Sequence, residues 1–127
     1  MVTFTVVICK GYGLGALGMA GGSFHASVFT IAWPTGEFGG MGLEGQVKLG
    51  RRKDLAAITD PAERLALYES LVAEAYERGK ALNTASLFEI DNVIDPAATR
   101  DWISAGLRSM PALAPRSGKK RPFVDTW

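Results

Sequence analysis

The stretch VVICKGYGLGALGMAGG, residues 6–22, starts as an apolar run and ends as a string of glycines. Residues 3–9, TFTVVIC, are β-branched and apolar and read as one buried strand. The small residues that follow permit a short helix from about Leu14 to Ala20, packed closely on a neighbour. Within the stretch, GLGALG at 13–18 fits the pattern G-x-G-x-x-G, which raises a dinucleotide pyrophosphate site. Such a loop joins a strand directly to a helix and needs an acid at the end of the next strand to hold a ribose. Here Lys10, Gly11 and Tyr12 intervene, and the next apolar run, VFTIAW at 28–33, ends at Pro34 without an acid. Glu37 lies beyond a proline and a glycine, and no alternating strand–helix units follow. What survives is physical. A glycine turn leading into a helix presents backbone N–H groups that can hold an anion, or an oxyanion if charge develops on a reacting oxygen. Tight packing alone would use the same glycines.

The bulk of the chain bounds the alternatives. At 127 residues, 47% hydrophobic and with net charge +1, it fits one soluble globular domain. The even balance argues against a nucleic-acid module, which carries a basic excess. Cys9 is the single cysteine, so no internal disulfide forms, and no Cys/His set has metal-binding spacing. Lys10 is the one charged side chain in residues 1–36. It splits the segment, no run reaches the roughly 18 apolar residues of a membrane span, and no basic region precedes the apolar run as in a secretory signal. This half therefore reads as buried core.

Further along, a helix is expected from near Gly42, with Leu43, Val47 and Leu49 inward. The run Arg51-Arg52-Lys53-Asp54 reads as a solvated face. The clearest helix covers 61–78: Asp60 caps it, Pro61 suits the first turn, Glu63 completes a capping-box spacing, and Gly79 suits the residue just past its end. Leu65, Tyr68, Leu71, Val72, Ala75 and Tyr76 form one apolar stripe on it. A shorter helix over 83–89, a brief strand NVID ending at Pro96, and a last helix over 98–109 with Trp102, Ile103 and Leu107 inward complete the pattern. Residues 111–127, with Arg116, Lys119, Lys120 and Arg121 among prolines and a glycine, read as an irregular tail. No internal repeat is visible.

Three stretches, KGYGLGALGMAGGS at 10–23, AWPTGEFGGMGLEG at 32–45 and EIDNVIDPAATR at 89–100, occur in an order and spacing that resembles the carboxyltransferase (beta) subunits of biotin-dependent acyl-CoA carboxylases. The resemblance extends to about Met110. It implies an α/β (α+β) fold, part of a crotonase-like ββα spiral followed by C-terminal helices. Residues 1–110 would form the C-terminal portion of the second crotonase-like domain, and 111–127 the tail. A family subunit is about four times longer, so the chain would be a fragment, a split subunit or a truncation.

The resemblance also implies a chemistry. In this family carboxybiotin on a carrier protein delivers the carboxyl group to the α-carbon of an acyl-CoA. No side-chain nucleophile is needed; backbone N–H pairs stabilise the negative oxygens. Aligned on the family's turn, Lys10 to Gly15 put the biotin-side donors at Leu14 and Gly15, beside Gly13 and Leu17 as biotin- or substrate-binding residues. Leu14 stands where glycine is usual and Gly15 where alanine is usual, and leucine disfavours positive φ. Met19 is either pocket or core. Glu37 and Glu44 are candidate acid/base groups but fit hydrogen-bonding or helix-terminus roles better, His25 fits a structural role, and Cys9 a small buried group. The implied partners are acyl-CoA, a biotin carboxyl carrier protein or biotin carboxylase subunit, the remainder of the carboxyltransferase and further copies of the chain. Neither metal, nucleic acid nor membrane is expected, and the location is cytoplasmic. The other reading is a non-catalytic piece that folds by oligomerising or docking on a partner subunit.

Overall fold

The computed structural model describes residues 2–112, so the tail read at 111–127 lies almost wholly outside the described residues. The chain runs β1 (Thr5–Val7), β2 (Lys10–Tyr12), α1 (Gly13–Met19), β3 (Thr30–Ala32), β4 (Glu37–Gly39), α2 (Leu43–Gly50), α3 (Arg52–Ala57), α4 (Pro61–Arg78), α5 (Ala81–Ser86) and β5 (Asn92–Val93). A turn of 3-10 helix at Pro96–Ala98 then leads into α6 (Thr99–Ser109). Among the described residues no helix is long and apolar enough to cross a membrane.

The strand expected over 3–9 is only Thr5–Val7, and Lys10–Tyr12, read as intervening loop, form a second strand in another sheet that leads directly into α1. Ile8 and Cys9 leave the first ladder, and their carbonyls take bonds from the neighbouring turn instead: Thr35 Oγ1 donates to Ile8 O at 2.6 Å and Glu37 N to Cys9 O at 2.8 Å. The crossing exposes Cys9, which is not the buried group expected. The pattern then repeats, so β1-β2-α1 and β3-β4-α2 are successive ββα turns stacked in parallel. β1 pairs with β3 (Thr5 opposite Thr30) and β2 with β4 (Lys10 opposite Glu37). The two registers differ because the second crossing, Trp33–Gly36, is longer than Ile8–Cys9. Without a constant offset the structural repeat leaves no repeat in the sequence. β5 extends the first sheet in the order β1-β3-β5.

Side-chain alternation sends the first sheet's residues to two cores. Val7, Ala32 and Val93 face Phe38, Ala81 and Ile90 between the two sheets. Val6, Ile31 and Ile94 face Trp102 and Ile103 of α6 on the far side. α6 is pinned there by Trp33 Nε1, which donates to Thr99 Oγ1 at 3.0 Å. Gly106 lets it approach the rings of Phe4 and Phe29, where a Cβ would stand 2.7 and 2.8 Å from ring carbons. Leu107, expected inward, is exposed, because Gly106 occupies the line of closest approach.

The helix over 61–78 forms with the expected start: Asp60 Oδ2 accepts from Glu63 N at 3.1 Å. Its apolar stripe packs on α2 but is only half-buried, and Leu65 is exposed. On α2, Leu43 and Val47 are buried and Leu49 is not, since α4 covers one side only. The residue past the α4 end behaves differently from the expectation. Gly79 has φ −76°, an ordinary right-handed value. It is small because β4 passes over it: a Cβ would lie 2.6 Å from the carbonyl oxygen of Phe38. The left-handed helix end is Phe88, after α5, at φ 60°. There Phe88 N bonds Ala85 O at 3.0 Å and Glu89 N bonds Thr84 O at 3.3 Å, a Schellman closure carrying phenylalanine where glycine is usual.

Candidate functional site

Parallel pairing brings two glycine turns side by side. β2 passes through Gly13 into α1, and β4 passes through Gly39 and Gly40 towards α2. The left-handed residue of the first turn is Gly13 (φ 62°), and its missing Cβ is required twice over, since that atom would sit 3.0 Å from Gly40 O. Leu14 therefore carries no positive φ. The sharp bend falls one residue earlier, so leucine at position 14 meets no left-handed strain.

Tyr12 caps α1 in extended conformation without a side-chain cap bond. The N–H groups of the first helical turn, Leu14 and Gly15 among them, lack intrahelical acceptors by the geometry of a helix. Among the described residues no carbonyl or side chain outside the helix accepts from Leu14 or Gly15 either. Around Gly15 a Cβ would meet nothing within 4 Å.

A cavity of about 380 Å³ opens between the turns, bordered by Gly11, Gly13, Leu14, Leu17, Phe24, Phe38, Gly39, Gly40 and Glu89. Three of the four expected site residues, Gly13, Leu14 and Leu17, thus meet in one place. Gly15 borders the adjoining cavity of about 580 Å³, which runs along the open side of β1 and β2 and also touches Met19. Met19 is 91% exposed and belongs to no core. Sequence reasoning missed Phe38, Gly39, Gly40 and Glu89 as walls. The signal was the second glycine turn in AWPTGEFGGMGLEG, whose pairing with the first was not visible.

Glu37 and Glu44 serve as hydrogen-bond acceptors. Tyr12 Oη donates to Glu37 Oε2 at 2.6 Å, and Tyr76 Oη on α4 donates to Glu44 Oε1 at 2.5 Å in the first turn of α2. Burial, then the bond to Glu37, pushes the Tyr12 hydroxyl well above the usual tyrosine range. The bond to Glu44 pushes Tyr76 up to about 12 and holds Glu44 below the usual carboxylate range. Both hydroxyls therefore remain protonated donors near neutral pH. His25 is exposed, with its backbone N–H bonded to Ser23 Oγ. Among the described residues no group of three His, Cys, Asp or Glu side chains could hold a metal ion.

First-turn amides without protein acceptors among the described residues thus stand next to a mainly apolar cavity, and Cys9 and Lys10 line the adjoining one with Gly15. Comparison with known proteins gives the family. The carboxyl transferase domain family matches residues 2–120. A biotin-dependent acetyl-/propionyl-coenzyme A carboxylase beta6 subunit of Mycobacterium tuberculosis is 36% identical over 110 residues, covering 85% of this chain and 23% of that subunit. Among solved structures, a single-chain, multi-domain long-chain acyl-CoA carboxylase is 57% identical with TM-score 0.67, covering 83% of this chain and 10% of that one. The transcarboxylase 12S hexamer, with methylmalonyl-coenzyme A and methylmalonic acid bound, is 28% identical with TM-score 0.74, covering 94% of this chain and 23% of that one. The fold is accordingly a partial crotonase-like α/β carboxyltransferase domain. The chain spans about a fifth of the length of the curated relatives it matches.

Proposed function

The chain belongs to the carboxyl transferase domain family, and on that premise we propose that it forms part of the active site of a biotin-dependent acyl-CoA carboxyltransferase, where the backbone N–H groups of Leu14 and Gly15 hold the negative oxygen of the biotin ureido. One observation carries the reading: these adjacent first-turn amides lack protein acceptors among the described residues and stand where the two cavities meet. The donor set fits the group, since a ureido oxygen needs N–H donors and its ring system an apolar wall. When bound, carboxybiotin supplies the carboxyl group. The chain's own residues contribute fixed donors that need no reorganisation as charge develops; one such donor is typically worth about 3 kcal/mol of barrier. Gly13 shapes the turn and Leu17 forms part of the wall. The 57% identity to a long-chain acyl-CoA carboxylase, against 36% to the acetyl-/propionyl subunit, favours a long-chain acyl-CoA as acceptor.

Gly15→Pro tests this, because proline is tolerated in a helix's first turn while deleting the N–H. Carboxyl transfer by the assembled carboxylase should fall by roughly 10²-fold or more. Gly15→Ala keeps the N–H, has open space for its methyl group, and should retain transfer. A folded Gly15→Pro enzyme with full transfer would sink the donor assignment.

A second reading is favoured by the open flank. β1 and β2 are edge strands of parallel sheets, and Ile8, Leu14 and Met19 beside them are exposed. Parallel sheets are ordinarily covered. The chain would then work by docking this flank on the remainder of a carboxyltransferase or on further copies of itself.

A further inference from the structure

The turn that presents Leu14 and Gly15 rests on little. β2 has three residues, its sheet has two strands, and α1 has no side-chain cap; a lone pair of short strands is marginal in water. One side-chain bond crosses that pair near the turn. Lys10 stands opposite Glu37 and Tyr12 opposite Gly39, so the Tyr12 side chain lies on the face of Glu37, one diagonal step away. Gly39 has no side chain to block the ring, and Tyr12 Oη reaches Glu37 Oε2 at 2.6 Å. Glu37 in turn sits on a well-tied strand. Its N–H bonds Cys9 O at 2.8 Å, Phe38 N bonds Gly79 O at 2.7 Å, and Ala81 N bonds Gly36 O at 2.9 Å. β4 is thereby fastened to the α4–α5 junction, and Tyr12 fastens the turn to β4.

We infer that the Tyr12–Glu37 hydrogen bond is the clasp that holds the Gly13 turn in place, making Tyr12 and Glu37 positioning residues for the Leu14 and Gly15 amides; the inference rests on the donor role proposed above. The hydroxyl stays a donor through neutral pH, so the clasp is closed there. The second turn has its counterpart, Tyr76 to Glu44, which ties the start of α2 to α4. In this role Glu37 uses its acceptor oxygen and not its charge, and it transfers no proton.

The test compares Tyr12→Phe, Glu37→Ala, Glu37→Gln and the double variant Tyr12→Phe with Glu37→Ala in the assembled carboxylase. Tyr12→Phe and Glu37→Ala should each lower kcat about tenfold with KM for acyl-CoA unchanged, since small misplacements of catalytic groups cost that much or more. The double variant should be no worse than either, because both remove one contact. Glu37→Gln keeps an acceptor and should restore kcat to within about twofold of the starting enzyme. Amide exchange in the assembled carboxylase gives a readout without turnover. Leu17 and Gly18, whose N–H groups bond back to Gly13 and Leu14 in the i to i−4 pattern of α1, should exchange roughly tenfold faster in Tyr12→Phe. A Glu37→Gln enzyme as slow as Glu37→Ala would overturn the clasp in favour of a charge or proton-transfer role. Unchanged kcat in Tyr12→Phe, or unchanged exchange at Leu17 and Gly18, would also overturn it. Full transfer by Gly15→Pro, with exchange still responding to Tyr12→Phe, would place the failure in the donor role and not in the clasp.

Discussion

Replacing Gly79 with alanine should destabilise the chain by about 2 kcal/mol, although its backbone angles suit alanine. The new Cβ would lie 2.6 Å from Phe38 O, 3.2 Å from Ala75 O and 3.3 Å from Leu43 Cδ1. Two of these atoms are backbone, so no flexible side chain can yield. Restoring ordinary contact requires β4 to retreat by about 0.8 Å, which stretches the Phe38 N to Gly79 O bond towards its limit. A weakened hydrogen bond costs about 1 kcal/mol and the overpacking about 1–3 kcal/mol. Reduced freedom of the unfolded chain returns about 0.4–1 kcal/mol. Urea unfolding followed by far-UV circular dichroism should show a midpoint lower by about 1 M. Gly79→Asn should be worse than alanine. Gly50→Ala is the counter-case: nothing lies within 4 Å of its Cβ at the end of α2, so it should stabilise by about 0.5 kcal/mol. The reasoning is refuted if alanine at 79 is neutral, or if asparagine there is better tolerated than alanine, the mark of a left-handed helix end.

The remaining expectations are shorter. Phe88 is left-handed and 86% exposed, so Phe88→Gly should relieve strain, lose little packing and raise stability by about 1 kcal/mol, read from the same urea curves. Tyr76 ionises near 12 in the folded chain against 10.0 unperturbed. Because the folded form holds that proton more tightly, the contribution is complete below about pH 10 and is lost as pH rises towards 12; Tyr76→Phe should lessen the fall in stability over that window, the raised Tyr12 hydroxyl keeping the rest. Light scattering behind a sizing column should find the chain oligomeric or aggregated, since the β1 and β2 edges are open; a clean monomer would refute the docking reading.

Much of this was legible. The helix over 61–78 was fixed at its start, because Asp60, Pro61 and Glu63 act locally and need nothing from the rest of the chain. The positions of Thr5–Val7 and Thr30–Ala32 followed from β-branched runs, whereas Gly13, Leu14, Gly15 and Leu17 as site residues rest on the resemblance of the stretches 10–23, 32–45 and 89–100 and stay a proposal. The failures share one cause. Glycine signals two unrelated things, a left-handed backbone and a close approach, and only tertiary packing separates them. Gly79 suggested the first and is the second; the left-handed position fell on Phe88, where nothing in the sequence marks it. The short strand Glu37–Gly39 was invisible for a similar reason, since its stability comes from its pairing with Lys10–Tyr12. Leu49, Leu107 and Met19 look like core by type, but the described residues leave them uncovered.

The stacking of successive ββα turns explains why the proposed chemistry needs so few distinctive side chains. Each unit ends its second strand in a glycine turn, and parallel pairing sets one turn against the next, so that Gly13 meets Gly40. The first-turn amides then arise from backbone alone, and the cavity beside them is walled by Leu17, Phe24 and Phe38. Side chains enter as fasteners: Tyr12 to Glu37 at one turn, Tyr76 to Glu44 at the other. A turn built this way accommodates leucine at position 14 without backbone strain, because the bend is made at Gly13. It should tolerate far less at Gly13, Gly39 and Gly79, where an added Cβ meets atoms at 3.0 Å or closer and displaces the frame that aims the amides.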